Sequence, residues 1–412
     1  MNGILKAALA VVFLAVAFCA GFALKDLQNG RPPSGDAFKA LLNGGKREKA
    51  TPTEVFKEHY GLIQAKYYRP VDPSHLKYAA MEGMFTSLGD PHSNFLEPKI
   101  AESFAMETRG DFVGIGARLE PDPLGAKIIK VYSGSPAQHA GVKEGDLIVA
   151  VEGKSVSGLN ADEIASKIRG EEGTVVKFTV MRAGTKVNLV ARRATVMLPT
   201  AEGKMLEGHP IGYISVLQFA ETTPAQFDEA LQTVLSNKPK GLIIDMRGNP
   251  GGLLESATLM LSRFRSDGVV VSMRERGTNV KVQRTPAGRT IQTKIPIAIL
   301  INEESASAAE IFAGCMQEYG RAILVGEHSY GKASVQNVFP LVGGASAKVT
   351  IARYYLPSGK NISRSVDEEG QYIKGGLTPD VPAELVIKTG TEIGKAGFDS
   401  QLDRAIQALG VK

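Results

Sequence analysis

Tryptophan is missing altogether, and the 412 residues include only two cysteines and six histidines. No two histidines stand at a metal-ligand spacing of the H-E-x-x-H kind, which argues against a metal-dependent hydrolase. Cys19 lies in an apolar N-terminal run and Cys315 in a helix-like stretch, Ile311-Phe312-Ala313-Gly314-Cys315-Met316. No disulfide is therefore expected, and Cys315 reads as core filler. A basic block is also lacking, because the formal net charge of +5 is dispersed along the chain. Together with the lack of tryptophan, this argues against a nucleic-acid partner. What remains, 43% hydrophobic and 22% charged residues, is the composition of a globular protein. The length calls for two or three domains.

The N-terminus carries the one long apolar run. Residues 7–24 are apolar or small apart from Cys19, with Lys6 before them and Lys25 and Asp26 after. Residues 1–28 thus fit a signal peptide or a single membrane anchor, so export and membrane contact are expected. Ala15-Val16-Ala17 offers a cleavage pattern, and the length suits retention equally. Residues 29–50, polar and rich in Gly, Pro, Lys and Arg, read as a linker. From 51 to 109 apolar residues recur near a helical period, first Val55, Phe56, Tyr60, Leu62, Ile63 and Tyr67, then Leu76, Ala80, Met84 and Leu88. Two such helices hold too little core to stand alone and should pack on a neighbour or a second subunit. Gly89-Asp90-Pro91-His92-Ser93 marks a turn out of them.

Residues 110–195 have a different texture. Phe112, Val113, Gly114, Ile115 and Gly116 form a glycine-punctuated loop entering a strand. Short β-rich runs follow, interrupted by a helix over 161–169. The pattern predicts a small barrel with an open edge beside the glycine loop, whose backbone N–H groups suit a peptide's terminal carboxylate. F-x-G-I-G, S-P-A-x-x-A-G and x-x-G-D-x-I, in that order, resemble a PDZ domain of the bacterial periplasmic kind.

Beyond residue 196, β-rich and helical stretches alternate, implying an α/β layer architecture. Two short apolar runs, Ile297-Ala298-Ile299-Leu300-Ile301 and Ala322-Ile323-Leu324-Val325, each precede a polar turn. The first turn offers Ser305 and Ser307, the second Lys332. A serine hydroxyl needs a base, and a desolvated lysine qualifies. Spacing alone divides the nucleophile evenly between Ser305 and Ser307. His328 is a rival base, although no Asp is placed to orient it. The run from Gly326 to Lys332 also imitates a P-loop, with Ala333 where a Mg²⁺-binding hydroxyl would stand. Gly251 and Gly252, between a strand and a helix, suit an oxyanion site. After Asp380 a polar stretch leads into an amphipathic helix, residues 401–409, whose apolar face needs a partner.

D-M-R-G-N-P-G-G-L, S-A-S-A-A-E and Y-G-K-A-S-V-Q together resemble the carboxyl-terminal processing peptidases, or tail-specific proteases, over roughly residues 51–380. Glu304 and Ala309 depart from the glycine and serine common there. The resemblance implies an α/β protease core of crotonase/ClpP-like layered βα units over 196–380. It also implies an inserted PDZ-like β-barrel domain over 110–195 and flanking helical segments over 51–109 and 381–412. It makes Ser307 the nucleophile, Lys332 the general base 25 residues on, and Gln336 the residue that orients the lysine. If residues 332–336 are helical, Gln336 lies one turn beyond Lys332. The resemblance assigns the oxyanion hole to the backbone of Gly251, Gly252 and Ala308, and a ligand-sensing role to Arg169. It implies protein substrates with unstructured apolar C-termini, no cofactor, and a place in the bacterial cell envelope facing the periplasm. A lipoprotein adaptor and a homo-oligomer stay open. The competing reading is a catalytically silent PDZ scaffold.

Overall fold

The computed structural model describes residues 50–277, 280–291, 294–366, 372–386 and 394–411. The N-terminal apolar run and nearly all of the linker lie outside the described residues. The chain falls into two compact units, Met1–Ala80 and Met81–Lys412. In the first, helix α1 (Pro52–Lys66) starts at a capping box: Thr51 N donates to Glu54 Oε2 at 2.8 Å, and Glu54 N donates to Thr51 Oγ1 at 3.4 Å. Pro52 sits at the first helical position, where its missing N–H is no loss. Helix α2 (Pro73–Thr86) begins in the same unit, and neither helix has a buried residue. Together they have the coreless character expected of the pair.

The second unit contains β1 (Asn94–Leu96), α3 (Pro98–Arg109), and then the glycine-rich region: β2 (Asp111–Gly114), β3 (Ala117–Asp122), β4 (Gly125–Val131), α4 (Pro136–His139), β5 (Leu147–Val151), β6 (Lys154–Ser155), α5 (Ala161–Ile168), β7 (Val175–Arg182), β8 (Thr185–Arg192) and β9 (Ala194–Met197). Strands β3-β4-β5-β7-β8 form one sheet, with β6 on β5, while β2 pairs with β9. The sheet is an open path among the described residues, and it wraps its own core of Ile128, Ile148, Ile164, Val176, Phe178 and Val180. Strand β3 is an edge, paired on one side with β4.

The remainder comprises β10 (Ala201–Met205), β11 (Ile211–Val216), α6 (Thr223–Ser236), β12 (Gly241–Asp245), α7 (Leu254–Leu261), β13 (Val269–Glu275), β14 (Lys281–Arg284), β15 (Ile297–Ile301), α8 (Ala308–Glu318), β16 (Ile323–Gly326), β17 (Ser334–Pro340), β18 (Ser346–Tyr355), β19 (Ser365–Val366), β20 (Tyr372–Lys374), β21 (Val381–Pro382) and α9 (Ser400–Leu409). The larger sheet runs β10-β11-β12-β15-β16-β21, parallel except at β10. Alternate residues face opposite layers. Leu242, Ile244, Ile297 and Ile299 share one core with Phe227 of α6 and Phe312 of α8. Ile243, Ala298 and Leu300 share another with Leu402, Ala405 and Leu409 of α9. Because both faces are covered, these strands read as unbroken apolar runs.

Two of the expected boundaries do not hold. Strand β21 and helix α9 complete the parallel sheet, so residues 381–412 are no separate tail and α9 finds its partner in the core. Residues 94–96 pair with β18, so the end of the 51–109 segment belongs to the second unit. The second sheet runs β1-β18-β13-β14, with β17 also paired to β18.

Candidate active site

Strand β15 leaves the parallel sheet at Ile301, turns sharply, and enters α8 at Ala308. Ser307 caps that helix with φ 53° and ψ −114°, a left-handed backbone that a residue with a Cβ adopts only under constraint. Strand, strained turn and helix together lift a serine out of a packed layer. Ser305 is wholly buried. Its hydroxyl lies 2.8 Å from Met246 O and 3.2 Å from Asn302 Oδ1, and accepts from Asn302 N at 3.0 Å. Ser305 thus ties the turn to the end of β12, and Ser307, partly exposed, is the serine free to meet a substrate.

Glu310 organises the site. It is fully buried on the first turn of α8, yet its carboxylate accepts four hydrogen bonds. Oε2 accepts from Ser307 N at 2.8 Å and Lys332 N at 2.9 Å; Oε1 accepts from Ser329 Oγ at 2.5 Å and Gly331 N at 2.6 Å. One side chain therefore binds the backbone of both the serine and the lysine. Burial pushes its pKa up, and the four donors pull against that. The residue escaped the sequence reading, although Ser307 and Glu310 stand at the S-x-x-E spacing of a capping box.

Lys332 follows Gly331, whose φ of 88° and close contacts (an added Cβ would sit 2.8 Å from Gly376 N) exclude other residues. The lysine side chain is half-buried, and burial first, then the neighbouring Lys348, lowers its pKa below the ordinary lysine range. Glu310 and Asp90 oppose that shift. Among the described residues no hydrogen bond joins Lys332 Nζ to Ser307 Oγ. The expected helical relation of Lys332 to Gln336 fails: residues 334–340 are strand β17, paired with β18. Gln336 Nε2 instead donates to Ser334 Oγ at 2.8 Å and Thr350 Oγ1 at 3.2 Å.

The glycine turn packs against the serine. A Cβ on Gly251 would lie 2.8 Å from Ser307 Cβ and 2.9 Å from Ala308 N, so only glycine fits there at its φ of 96°. The Gly251 N–H, expected to face an oxyanion, donates to Asn249 Oδ1 at 2.8 Å. The N–H groups of Gly252 and Ala308 make no such bond among the described residues. Asn249, completely buried, also donates to Val216 O and accepts from Ala306 N, locking the turn to the serine loop. Arg247 is held between Asp245 at 2.6 Å and Asp399 at 2.8 Å, which anchors the start of that turn to α9.

In the PDZ-like region a groove of about 360 Å³ runs between the edge strand β3 and α5, lined by Phe112, Gly114, Ile115, Gly116 and Arg169 among others. Val113 is not part of that lining, and its backbone pairs with Thr195 of β9. Arg169 is exposed at the end of α5, its Cγ 4.0 Å from the place of a Cβ on Gly114. Among the described residues its guanidinium forms no hydrogen bond or ion pair with the serine or lysine segments. The P-loop likeness also fails, since no helix follows Lys332. His328 is exposed.

Residues 210–383 match the family profile described as peptidase family S41, and residues 127–182 that of a PDZ domain. Residues 29–100 match the N-terminal domain of the activating protease CtpB. The chain is 35% identical over 328 residues to the carboxy-terminal processing protease CtpA of Bacillus subtilis, covering 79% of this chain and 68% of that one. It is 34% identical over 324 residues to CtpB of the same organism, covering 77% and 67%. A probable CtpA-like serine protease of Staphylococcus aureus shares 32% over 360 residues, covering 86% and 71%.

Proposed function

The chain belongs to peptidase family S41 and is a serine-type peptidase with a PDZ domain, and from that premise we propose that it cuts proteins by a Ser307–Lys332 acyl-enzyme mechanism. The observation that carries the reading is the Glu310 clamp, which holds the serine and lysine segments by their own backbone N–H groups. Neutral Lys332 takes the Ser307 proton as Oγ attacks the scissile carbonyl. The N–H groups of Gly252 and Ala308 receive the oxyanion. As the peptide bond breaks, the ammonium returns its proton to the leaving amine. Water, deprotonated by the same lysine, then attacks the acyl carbon, the bond to Ser307 Oγ breaks, and the ammonium returns its proton to Oγ. Gln336 orients the amine by accepting from it at Oε1 while its Nε2 stays on Thr350 Oγ1.

In this reading the PDZ-like region is a β-barrel-type module that takes an apolar protein C-terminus along β3. The core is of the crotonase/ClpP-like layered kind, a view favoured by its parallel sheet covered on both faces. Residues 1–28 deliver the chain to the cell envelope, outside the membrane. The coreless helices α1 and α2 serve contacts with a second copy.

The test is digestion of an unstructured protein with a free apolar C-terminus. Lys332→Arg is expected to be inactive, because guanidinium does not deprotonate at usable pH. Wild-type cleavage should rise with pH along a limb that lies below the ordinary lysine pKa of about 10.4, since burial and Lys348 lower that of Lys332. Appreciable turnover by Lys332→Arg would remove the general-base role. A silent scaffold would bind the tail without cutting it. Arg169→Ala is expected to slow cleavage of tail-bearing substrates several-fold, on the order of 5- to 150-fold, at nearly constant tail affinity. Unchanged kinetics would rule it out as the sensor.

A further inference from the structure

A turn that lies far from the serine and lysine in sequence reaches the same site. Asp90 Oδ2 accepts from Ser93 Oγ at 2.6 Å, and Asp90 Oδ1 accepts from His92 N at 3.0 Å. The buried Ser93 hydroxyl in turn accepts from Thr350 N at 2.9 Å. Thr350 Oγ1 then accepts from Gln336 Nε2 at 3.2 Å. Immediately after the turn, Asn94 pairs with Lys348 in the β1–β18 ladder, so turn and strand are joined at two places. A bulge between Val335 and Gln336 brings Gln336 opposite Thr350, as bulges do where a side chain must be re-aimed.

We propose that residues 90–93 form a third part of the catalytic site, positioning Gln336 through Thr350 and setting the charge around Lys332. The inference rests on the Ser307–Lys332 mechanism and extends it to positioning residues that touch no reacting atom.

The charges around the lysine come from several elements. Asp90 and His92 belong to the turn, Lys348 to β18, and Glu310 to α8. Lys348 also lies 5.3 Å from the centre of the Phe104 ring, on α3. Tyr354 donates its hydroxyl to Lys332 O at 2.6 Å, and the Arg364 guanidinium lies over the neighbouring Tyr330 ring. The His92 ring is 6.5 Å from that same Tyr330 ring. Burial and Lys332 hold His92 below its usual pKa, which favours the neutral imidazole beside the amine. Asp90 raises, and Lys348 lowers, the pKa of Lys332. A lysine base works when neutral, so these two neighbours push the acid limb of activity in opposite directions.

The experiment measures kcat and kcat/KM against pH for Asp90→Asn, Lys348→Met and Thr350→Val, on a peptide ending in a free apolar residue. Unfolding midpoints and tail affinity are measured alongside. Thr350→Val keeps the strand amide and the side-chain shape but removes the acceptor for Gln336. It is expected to lower kcat about ten- to a hundredfold with tail affinity unchanged. Asp90→Asn should move the acid limb to lower pH, and Lys348→Met should move it to higher pH. If Asp90→Asn fails to fold, Lys348→Met and Thr350→Val still decide the matter. An acid limb that stays put in the folded variants, or moves against these signs, overturns the proposal. So does a loss of activity that merely follows loss of stability. Activity in Lys332→Arg would instead break the parent mechanism, so the two failures are told apart.

Discussion

Ser307→Ala is expected to leave a folded protein whose peptidase activity falls by at least about 10⁴-fold, whereas Ser305→Ala should lose stability but keep its catalysis per folded molecule. The two serines sit two residues apart and differ in what surrounds them. Ser305 is a buried joint between β12 and the turn that carries Ser307, bonded to Met246, Asn302 and, through its carbonyl, Tyr330 N. Replacing it with alanine orphans buried backbone groups, at about 1–3 kcal/mol. The Ser307 hydroxyl faces only the first turn of its own helix, as the cap of α8, and ties no other element to the turn, so deleting the oxygen costs at most a helix cap, about 1 kcal/mol. The backbone provides a second check. Alanine at φ 53° keeps the Cβ and its strain, whereas glycine relieves both, so Ser307→Gly should unfold at a higher temperature than Ser307→Ala. Activity in Ser307→Ala, or equal loss in both alanine variants, would move the nucleophile elsewhere. A peptide assay paired with thermal unfolding reads all three variants.

The parts of this site that the sequence exposed are those whose chemistry is local. A strand of Ile297-Ala298-Ile299-Leu300-Ile301 followed by small residues and a helix is a local pattern, and the structure has it as β15, turn and α8. Lys332 after a glycine was equally visible. The relations between segments were not. Spacing could not divide Ser305 from Ser307, because the distinction lies in Met246 and Asn302, which belong to other elements. Nor could it show that Gly251 N–H is occupied by Asn249, since both lie in one turn whose conformation depends on Phe219 and Ala306. The four-residue step from Lys332 to Gln336 invited a helical reading, and pairing with β18 overrode it. Likewise α9 looked like an unpartnered amphipathic helix, because its partner, the far face of a parallel sheet, is assembled from four distant strands, β11, β12, β15 and β16.

Glu310→Gln should be strongly damaging to catalysis, although the side chains have the same shape. Each Glu310 oxygen accepts two donors: Ser307 N and Lys332 N on one, Ser329 Oγ and Gly331 N on the other. A glutamine can place its carbonyl oxygen toward only one of these pairs. Its NH₂ then faces two donors across a contact shorter than 3 Å, in a fully buried space. Hydrogen bonds to a charged acceptor are worth about 1.5–3 kcal/mol each, so losing one pair costs several kcal/mol of stability. What survives that loss is a turn in which either Ser307 or Gly331 has shifted. A displacement near 1 Å at the reacting atoms costs about 10²-fold in rate. The Ser329 hydroxyl has a second duty, accepting from Leu377 N at 2.7 Å, so it cannot simply rotate to suit the amide. Ser329→Ala removes one of the four donors and leaves the carboxylate in place, and it should therefore fall between wild type and Glu310→Gln. Measured at a temperature where the variants remain folded, kcat should drop at least about 100-fold in Glu310→Gln while the affinity for a tail peptide, read in the separate PDZ groove, stays unchanged. Near-normal kcat in a folded Glu310→Gln protein would show that the clamp holds the fold and not the catalytic geometry.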